Sequence, residues 1–266
     1  MKAFRNSLAI SLFFLFLGSA GLRAQVVTVP MEKVGNLMFI PLKVNGEEAT
    51  FVFDTGATLA VLDTEMAEAM GWKSNRITSV VGAGGSTSLE ILSEQEFELG
   101  GKVTLPKTDV VLRDLSDLEA SLGRDFDGII GYDILANFLT LLDFDAPQIV
   151  LYDLDTSPSS ITDGYTRVKF RFKRGITIPQ FTVSLTLTNG ETVKGPIFFD
   201  SGAGMSLTVN RPFQEENDLL GKSDAMVPGR SVSLTTQTRS YTIAAAKLSV
   251  AGFEVEDFPI RLSGST

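Results

Sequence analysis

Phe51-Val52-Phe53-Asp54-Thr55-Gly56-Ala57 is an apolar run that leads straight into an acid and then a glycine, and Ile197-Phe198-Phe199-Asp200-Ser201-Gly202-Ala203 repeats it 146 residues later. Three consecutive apolar residues leave no alternating polar face, so each run reads as a strand buried on both sides that delivers a carboxylate to the inside of the molecule. A buried acid is costly unless it is paired, hydrogen-bonded or used. Two acids in matching settings therefore point to one arrangement in which they face each other.

That arrangement has a chemical use. Two carboxylates about 3 Å apart cannot both ionise and so share a proton; one can then take a proton from water while the other gives one to a carbonyl oxygen. Gly56 and Gly202 let the backbone turn sharply and bring its N–H groups near the carboxylates, where a Cβ would obstruct. Thr55 and Ser201 carry short hydroxyls able to hydrogen-bond across to the other copy and hold the two loops together.

The rest of the composition narrows the chemistry. The chain has no histidine and no cysteine, which removes Ser-His-Asp and Cys-His catalysis, disulfides and the usual zinc ligands. No cofactor or metal is expected. An apolar share of 44% over 266 residues is that of a globular protein. Lys2 and Arg5, the ten-residue apolar run Leu8–Leu17 and the small residues around Gly18 and Ala24 read as a secretory signal peptide, residues 1–24, cleaved after Ala24. A membrane anchor is the other reading, but ten residues interrupted by Ser11 span poorly. The expected protein is exported, periplasmic or secreted, with no stable anchor once the leader is gone. Cleavage removes Lys2, Arg5 and Arg23 and no acid, leaving 20 basic and 32 acidic residues, a net charge of −12, which argues against a nucleic-acid partner.

The plan around each acid also repeats. Met38–Val44 reaches Asn45-Gly46, a two-residue hairpin signal, and returns through Glu48–Phe53 to Asp54. Phe181–Leu187 reaches Asn189-Gly190-Glu191 and returns through Pro196 to Asp200. After the acids, Leu59–Leu62 precedes a helix capped by Asp63 or Thr64 and stopped at Gly71, while Met205–Val209 precedes Asn210-Arg211-Pro212 and a helical run to Gly221. This is an internal duplication, and it predicts a mainly β molecule of two lobes, residues 25–155 and 161–266, with few short helices and Thr156–Ser160 between them.

Asp-Thr-Gly-Ala and Asp-Ser-Gly-Ala, each after an apolar strand, resemble the two active-site loops of pepsin-like and retropepsin-like aspartic proteases. The resemblance implies the two-lobed acid-protease fold, a peptide or protein substrate, Asp54 and Asp200 as catalytic acids, and Thr55, Gly56, Ser201 and Gly202 as their supports. Val80-Val81-Gly82-Ala83-Gly84-Gly85 resembles the glycine-rich flap of these enzymes, which would give Gly82, Ala83, Gly84 and Gly85 to substrate binding; a plain hairpin turn is the other reading. Ile129-Ile130-Gly131 resembles their hydrophobic-hydrophobic-glycine strand, which supports the catalytic loop from beneath. Ala57 and Ala203 stand where pepsin-like loops carry Ser, which removes one donor from each carboxylate and implies an activity optimum nearer neutrality. Matching Leu99-Gly100-Gly101 to Val250-Ala251-Gly252, and Val110–Leu112 to Pro259–Leu262, would place the second lobe's own hydrophobic-hydrophobic-glycine strand about ten residues beyond Thr266, so that this lobe is expected to be incomplete here, either as the front part of a longer protein or as a truncated product.

An aspartic endopeptidase is the leading expectation, acting as a monomer. A protease-like scaffold that binds an extended peptide by strand addition without cutting it is the first alternative. The second is a first lobe that pairs with another chain. N-terminal sequencing of the exported protein is expected to begin at or near Gln25; an intact Met1 would restore the anchor.

Overall fold

The computed structural model describes residues 25–82, 85–173, 175–204, 207–232 and 237–263; the expected leader, residues 1–24, and Ala83 and Gly84 of the expected flap fall outside them. The chain is mainly β, as the alternation of apolar runs and turn residues predicts. Among the described residues four α-helices occur, all short.

The first half runs through β1 (Gln25–Pro30), β2 (Glu32–Val34), β3 (Leu37–Val44), β4 (Glu47–Phe53), β5 (Ala60–Asp63), α1 (Thr64–Ala69), β6 (Arg76–Gly82), β7 (Gly85–Gln95), β8 (Phe97–Leu99), β9 (Val103–Thr104), β10 (Thr108–Arg113), α2 (Ser116–Leu122), β11 (Gly128–Ile130), α3 (Tyr132–Leu135), β12 (Leu139–Asp143) and β13 (Gln148–Tyr152). Asn45 and Gly46, at φ of 51° and 90°, make the tight turn between β3 and β4. Asp63 caps α1 by accepting from Glu65 N at 3.3 Å, and its other oxygen accepts from Leu115 N at 3.0 Å, tying the helix start to the end of β10. The strand order β7-β10-β5-β11-β4-β3 puts β11 in the middle of a large sheet, parallel to β4 and antiparallel to β5. There Phe51, Phe53 and Ile130 are wholly buried. A separate sheet, β1-β13-β12, ends this half.

The segment Thr156–Ser160 contains a single 3-10 turn at Pro158–Ser160. Beyond it come β14 (Arg171–Lys173), β15 (Ile176–Leu187), β16 (Thr192–Phe198), β17 (Thr208–Val209), α4 (Arg211–Asn217), β18 (Val227–Val232), β19 (Gln237–Val250) and β20 (Phe253–Ser263), and these strands pair among themselves. The repeat extends to pairing: β10 lies parallel to β5 with Leu112 opposite Leu62, and β20 lies parallel to β17 with Leu262 opposite Val209. Two details depart from strict repetition. The Asn189-Gly190 turn closes through Leu187 N to Glu191 O at 2.8 Å, one residue longer than its Asn45-Gly46 counterpart. Asp218 takes a left-handed φ of 50° and caps α4 there, three residues before Gly221.

Gly131 shows how tightly the first half is assembled. Asp54 N donates to Ile130 O at 2.9 Å, Tyr132 N donates to Ala57 O at 3.0 Å, and a Cβ on Gly131 would lie 1.7 Å from Asp54 O. The backbone of this strand therefore touches the acid loop directly. Gly131→Ala should destabilise the chain by about 3 kcal/mol or more, since the obstacle is backbone and cannot step aside; urea unfolding would measure it, and an unchanged midpoint would show that the loop yields.

Candidate active site

The two acid loops meet at the ends of β4 and β16. Thr55 Oγ1 donates to Phe199 O at 2.8 Å and accepts from Ser201 N at 3.0 Å. Reciprocally, Ser201 Oγ donates to Phe53 O at 3.1 Å and accepts from Thr55 N at 3.0 Å. Each hydroxyl thus uses both its donor and its acceptor on the other loop, and four bonds worth about 0.5–1.5 kcal/mol each join the halves. Thr55 is buried.

The carboxylates lie inside this lock. Gly56 N donates to Asp54 Oδ1 at 2.6 Å, and Gly202 N donates to Asp200 Oδ1 at 3.0 Å. A Cβ on Gly202 would sit 2.2 Å from the Asp54 Cγ, and one on Gly56 would sit 2.7 Å from the Asp200 Cγ. Each glycine is therefore required by the acid of the opposite loop. Burial, together with the charge and hydrogen bonding of the neighbouring Asp200, pushes the Asp54 carboxyl up to about 7, against backbone donors from Gly56 and Gly202 that pull the other way. Removal from water is the largest cause. Asp54 therefore holds a proton well above the ordinary carboxylate range.

Other residues singled out from the sequence fall around this pair. Ile129 and Ile130 lie in β11 alongside Val52 and Phe53, with Gly131 under the loop at Asp54 and Ala57. Gly82 and Gly85 pair at the end of the β6–β7 hairpin, while Ala83 and Gly84 lie outside the described residues. Asp127 was not anticipated: its Oδ2 accepts from Thr50 N at 2.7 Å, and its backbone N donates to Thr50 O at 2.8 Å and its O accepts from Asp63 N at 2.8 Å, which seats β11 between β4 and β5. The only hint in the sequence is an Asp-Gly before two isoleucines. Asn36 also reaches across the halves, donating to Gly204 O at 3.4 Å.

The acidic groups elsewhere set the background against which Asp54 titrates. Asp109, Asp114, Asp143 and Glu254 are all held below their ordinary range: Asp109 by hydrogen bonds from Arg76 and the Glu94 N–H, Asp114 by Ser116, Asp143 by the Ala146 N–H, and Glu254 by Lys247. Their stabilisation is complete once the pH exceeds the unfolded carboxylate range. Among the described residues no group of three or more His, Cys, Asp or Glu side chains could hold a metal ion, and no helix is long and apolar enough to cross a membrane.

Between pH about 4 and about 7 the native chain binds a proton at Asp54 that the unfolded chain has lost, so this group's contribution to stability is present at the acid end and is lost as pH rises through the window. Thermal unfolding across that window should fall more steeply for the natural chain than for Asp54→Asn, which has no proton to lose; parallel curves would place the Asp54 pKa in the ordinary range.

Residues 40–134 match the family described as aspartyl protease, a stretch that holds Asp54, the hairpin β6–β7 and β11. Among solved structures, "Crystal structure of a retropepsin-like aspartic protease from Rickettsia conorii" is similar at 18% identity and a TM-score of 0.34, over 47% of this chain and 89% of that one. No curated protein matches the chain. Over residues 40–134, then, the chain is similar to the aspartyl protease family.

Proposed function

We propose that the chain is an aspartic endopeptidase that hydrolyses peptide bonds with a water activated by Asp54 and Asp200, its two lobes being residues 25–155 and 161–266. The observation that carries this reading is the close approach of each acid to the glycine of the opposite loop, within loops that exchange hydroxyl bonds. A peptide or protein is the substrate class of the family matched by residues 40–134. Export, with residues 1–24 as a cleaved leader, belongs to the same proposal and rests on the sequence of that segment.

In the reaction a water sits between the carboxyls. Asp200 takes a proton from the water while the water oxygen attacks the scissile carbonyl carbon, and Asp54, protonated, gives its proton to the carbonyl oxygen. The tetrahedral diol then collapses: a proton passes to the amide nitrogen, the C–N bond breaks, and acid and amine leave with the elements of one water added. No covalent intermediate forms on the chain. The β6–β7 hairpin, ending at Gly82 and Gly85, is proposed to close over the substrate, its glycines allowing backbone to approach backbone.

A non-cutting peptide binder on the same scaffold is the competing reading, and the exposure of Phe198, Phe199 and Asp200 favours it. Cleavage of an unstructured protein substrate separates the two. Asp54→Asn and Asp200→Asn are each expected to reduce cleavage by at least about a thousandfold with folding retained, because an amide can neither accept nor relay the shared proton. The natural chain should work best in weakly acidic to near-neutral solution and fade as Asp54 ionises above about pH 7. Full activity in either Asn variant would remove the dyad, and peptide binding without turnover by the natural chain would leave the binder.

A further inference from the structure

The β18–β19 hairpin is the second-half counterpart of the β6–β7 hairpin, and the strand registers align the two residue by residue. Leu112 faces Glu90 in the first half and Leu262 faces Tyr241 in the second, so Tyr241 stands for Glu90 and, two residues earlier in the strand, Arg239 stands for Ser88. Across the hairpin Ser88 pairs with Ser79, and Arg239 pairs with Arg230. Where one hairpin sets two serines opposite each other, the other sets two arginines. The pairing is made within the hairpin itself and depends on no neighbouring segment.

Side chains directly opposite on antiparallel strands have Cβ atoms about 4.5–5.5 Å apart, and like charges placed so repel each other. Other guanidiniums of the chain have carboxylates: Arg76 holds Asp109, Arg124 holds Glu32 and Arg211 holds Glu215. Arg230 and Arg239 are exposed and have no carboxylate partner among the described residues. Tyr241, paired with Pro228 two residues along on the same face, is 38% exposed beside them. The hairpin also reaches the first half, where the Cα atoms of α2 come within 8 Å of those of β18, and Glu119 of that helix is engaged by Phe126 N–H. The charge of the two halves is lopsided. Residues 25–155 hold 22 acidic and 8 basic residues, a net charge of −14, while residues 156–266 hold 10 acidic and 12 basic, a net charge of +2. An acidic group on a peptide lying between the halves is repelled from one side and tolerated on the other.

We propose that Arg230 and Arg239 together form a site for the carboxylate of an Asp or Glu side chain in a peptide bound between the halves, and so make the chain selective for acidic peptides. This rests on the peptide-substrate reading above and deepens it. A guanidinium presents its N–H groups as a planar fork that meets both oxygens of a carboxylate, and two such forks on adjacent strands can grip one anion from either side. The anion also removes the repulsion that the free hairpin carries, so the bound state gains twice over: a new charge-assisted contact forms and an unfavourable one is relieved. By the repeat, β18–β19 stands to the second half as the hairpin proposed to close over the substrate stands to the first. Inorganic phosphate offers the same oxyanion chemistry, and the test separates the two.

The test uses pairs of labelled, unstructured peptides that differ only by Glu or Gln at one position, the position being moved along the peptide, titrated into the full chain carrying Asp54→Asn so that nothing is cut. The readout is binding, and cleavage of the same peptides by the natural chain reports separately on the endopeptidase reading. At one position the Glu peptide is expected to bind about tenfold more tightly than its Gln partner, with the preference shrinking as salt is raised. In the chain that also carries Arg230→Ser and Arg239→Ser, the residue type of the first hairpin at these places, the two peptides should bind alike. Arg239→Glu, which gives Arg230 a partner across the hairpin and so preserves it, should likewise abolish the preference. Equal binding of Glu and Gln peptides at every position, or a preference that survives both variants, would overturn this proposal alone. Absence of binding by any peptide would remove the peptide reading with it. Phosphate that binds at the arginines while no peptide does so would assign them to a free oxyanion and overturn the proposal as well.

Discussion

Two hydroxyl groups hold the centre of this molecule together. Thr55 Oγ1 and Ser201 Oγ each donate to a carbonyl that immediately precedes the opposite acid loop, and each accepts from an N–H of that loop. Because a hydroxyl is donor and acceptor at once, it can satisfy two backbone groups that would otherwise be buried without partners at a junction where no strand ladder runs. Everything else about the acid pair follows from that lock. The loops can come this close only because Gly56 and Gly202 present no Cβ to the opposite carboxylate, and the closeness adds to burial in raising the Asp54 carboxyl.

The two halves support the lock unequally. Beneath Asp54 the chain has laid β11, with Asp127 bonding to β4 and β5 and Gly131 in contact with the loop backbone. Asp54 is thereby shielded from water, and desolvation is the foremost reason its carboxyl stays protonated. Asp200 follows a strand that, among the described residues, pairs on one side only, beside exposed phenylalanines. An acid's proton affinity depends on the solvent excluded around it as much as on its partner.

Edge strands explain why this asymmetry matters beyond the site. An unpaired strand with apolar side chains is a template for another strand, and chains ordinarily blunt such edges with charge, proline or a covering element. β11 removes two edges in the first half by pairing on both sides. Pro196 precedes the open run in β16, but Ile197, Phe198 and Phe199 follow it without a charge until Asp200.

Much of this was legible in the residues themselves. An apolar triplet ending in Asp-Thr-Gly or Asp-Ser-Gly, the Asn45-Gly46 turn, the Asp63 and Asn210 caps and the Ile129-Ile130-Gly131 strand are local signals, because turn geometry, capping and strand burial depend on residues close together in the chain. Others were not legible. Asp127 reads as an ordinary turn residue until β4 and β5 are known to flank it, and the extra residue in the second hairpin turn follows from pairing and not from the shared Asn-Gly. The sequence by itself determined which side chains could form an acid pair and where strands begin and end. Only the tertiary structure decided that both hydroxyls cross, that one acid strand is enclosed and the other open, and which acid's proton affinity burial raises, because burial and long-range pairing are properties of neighbours far apart in the chain.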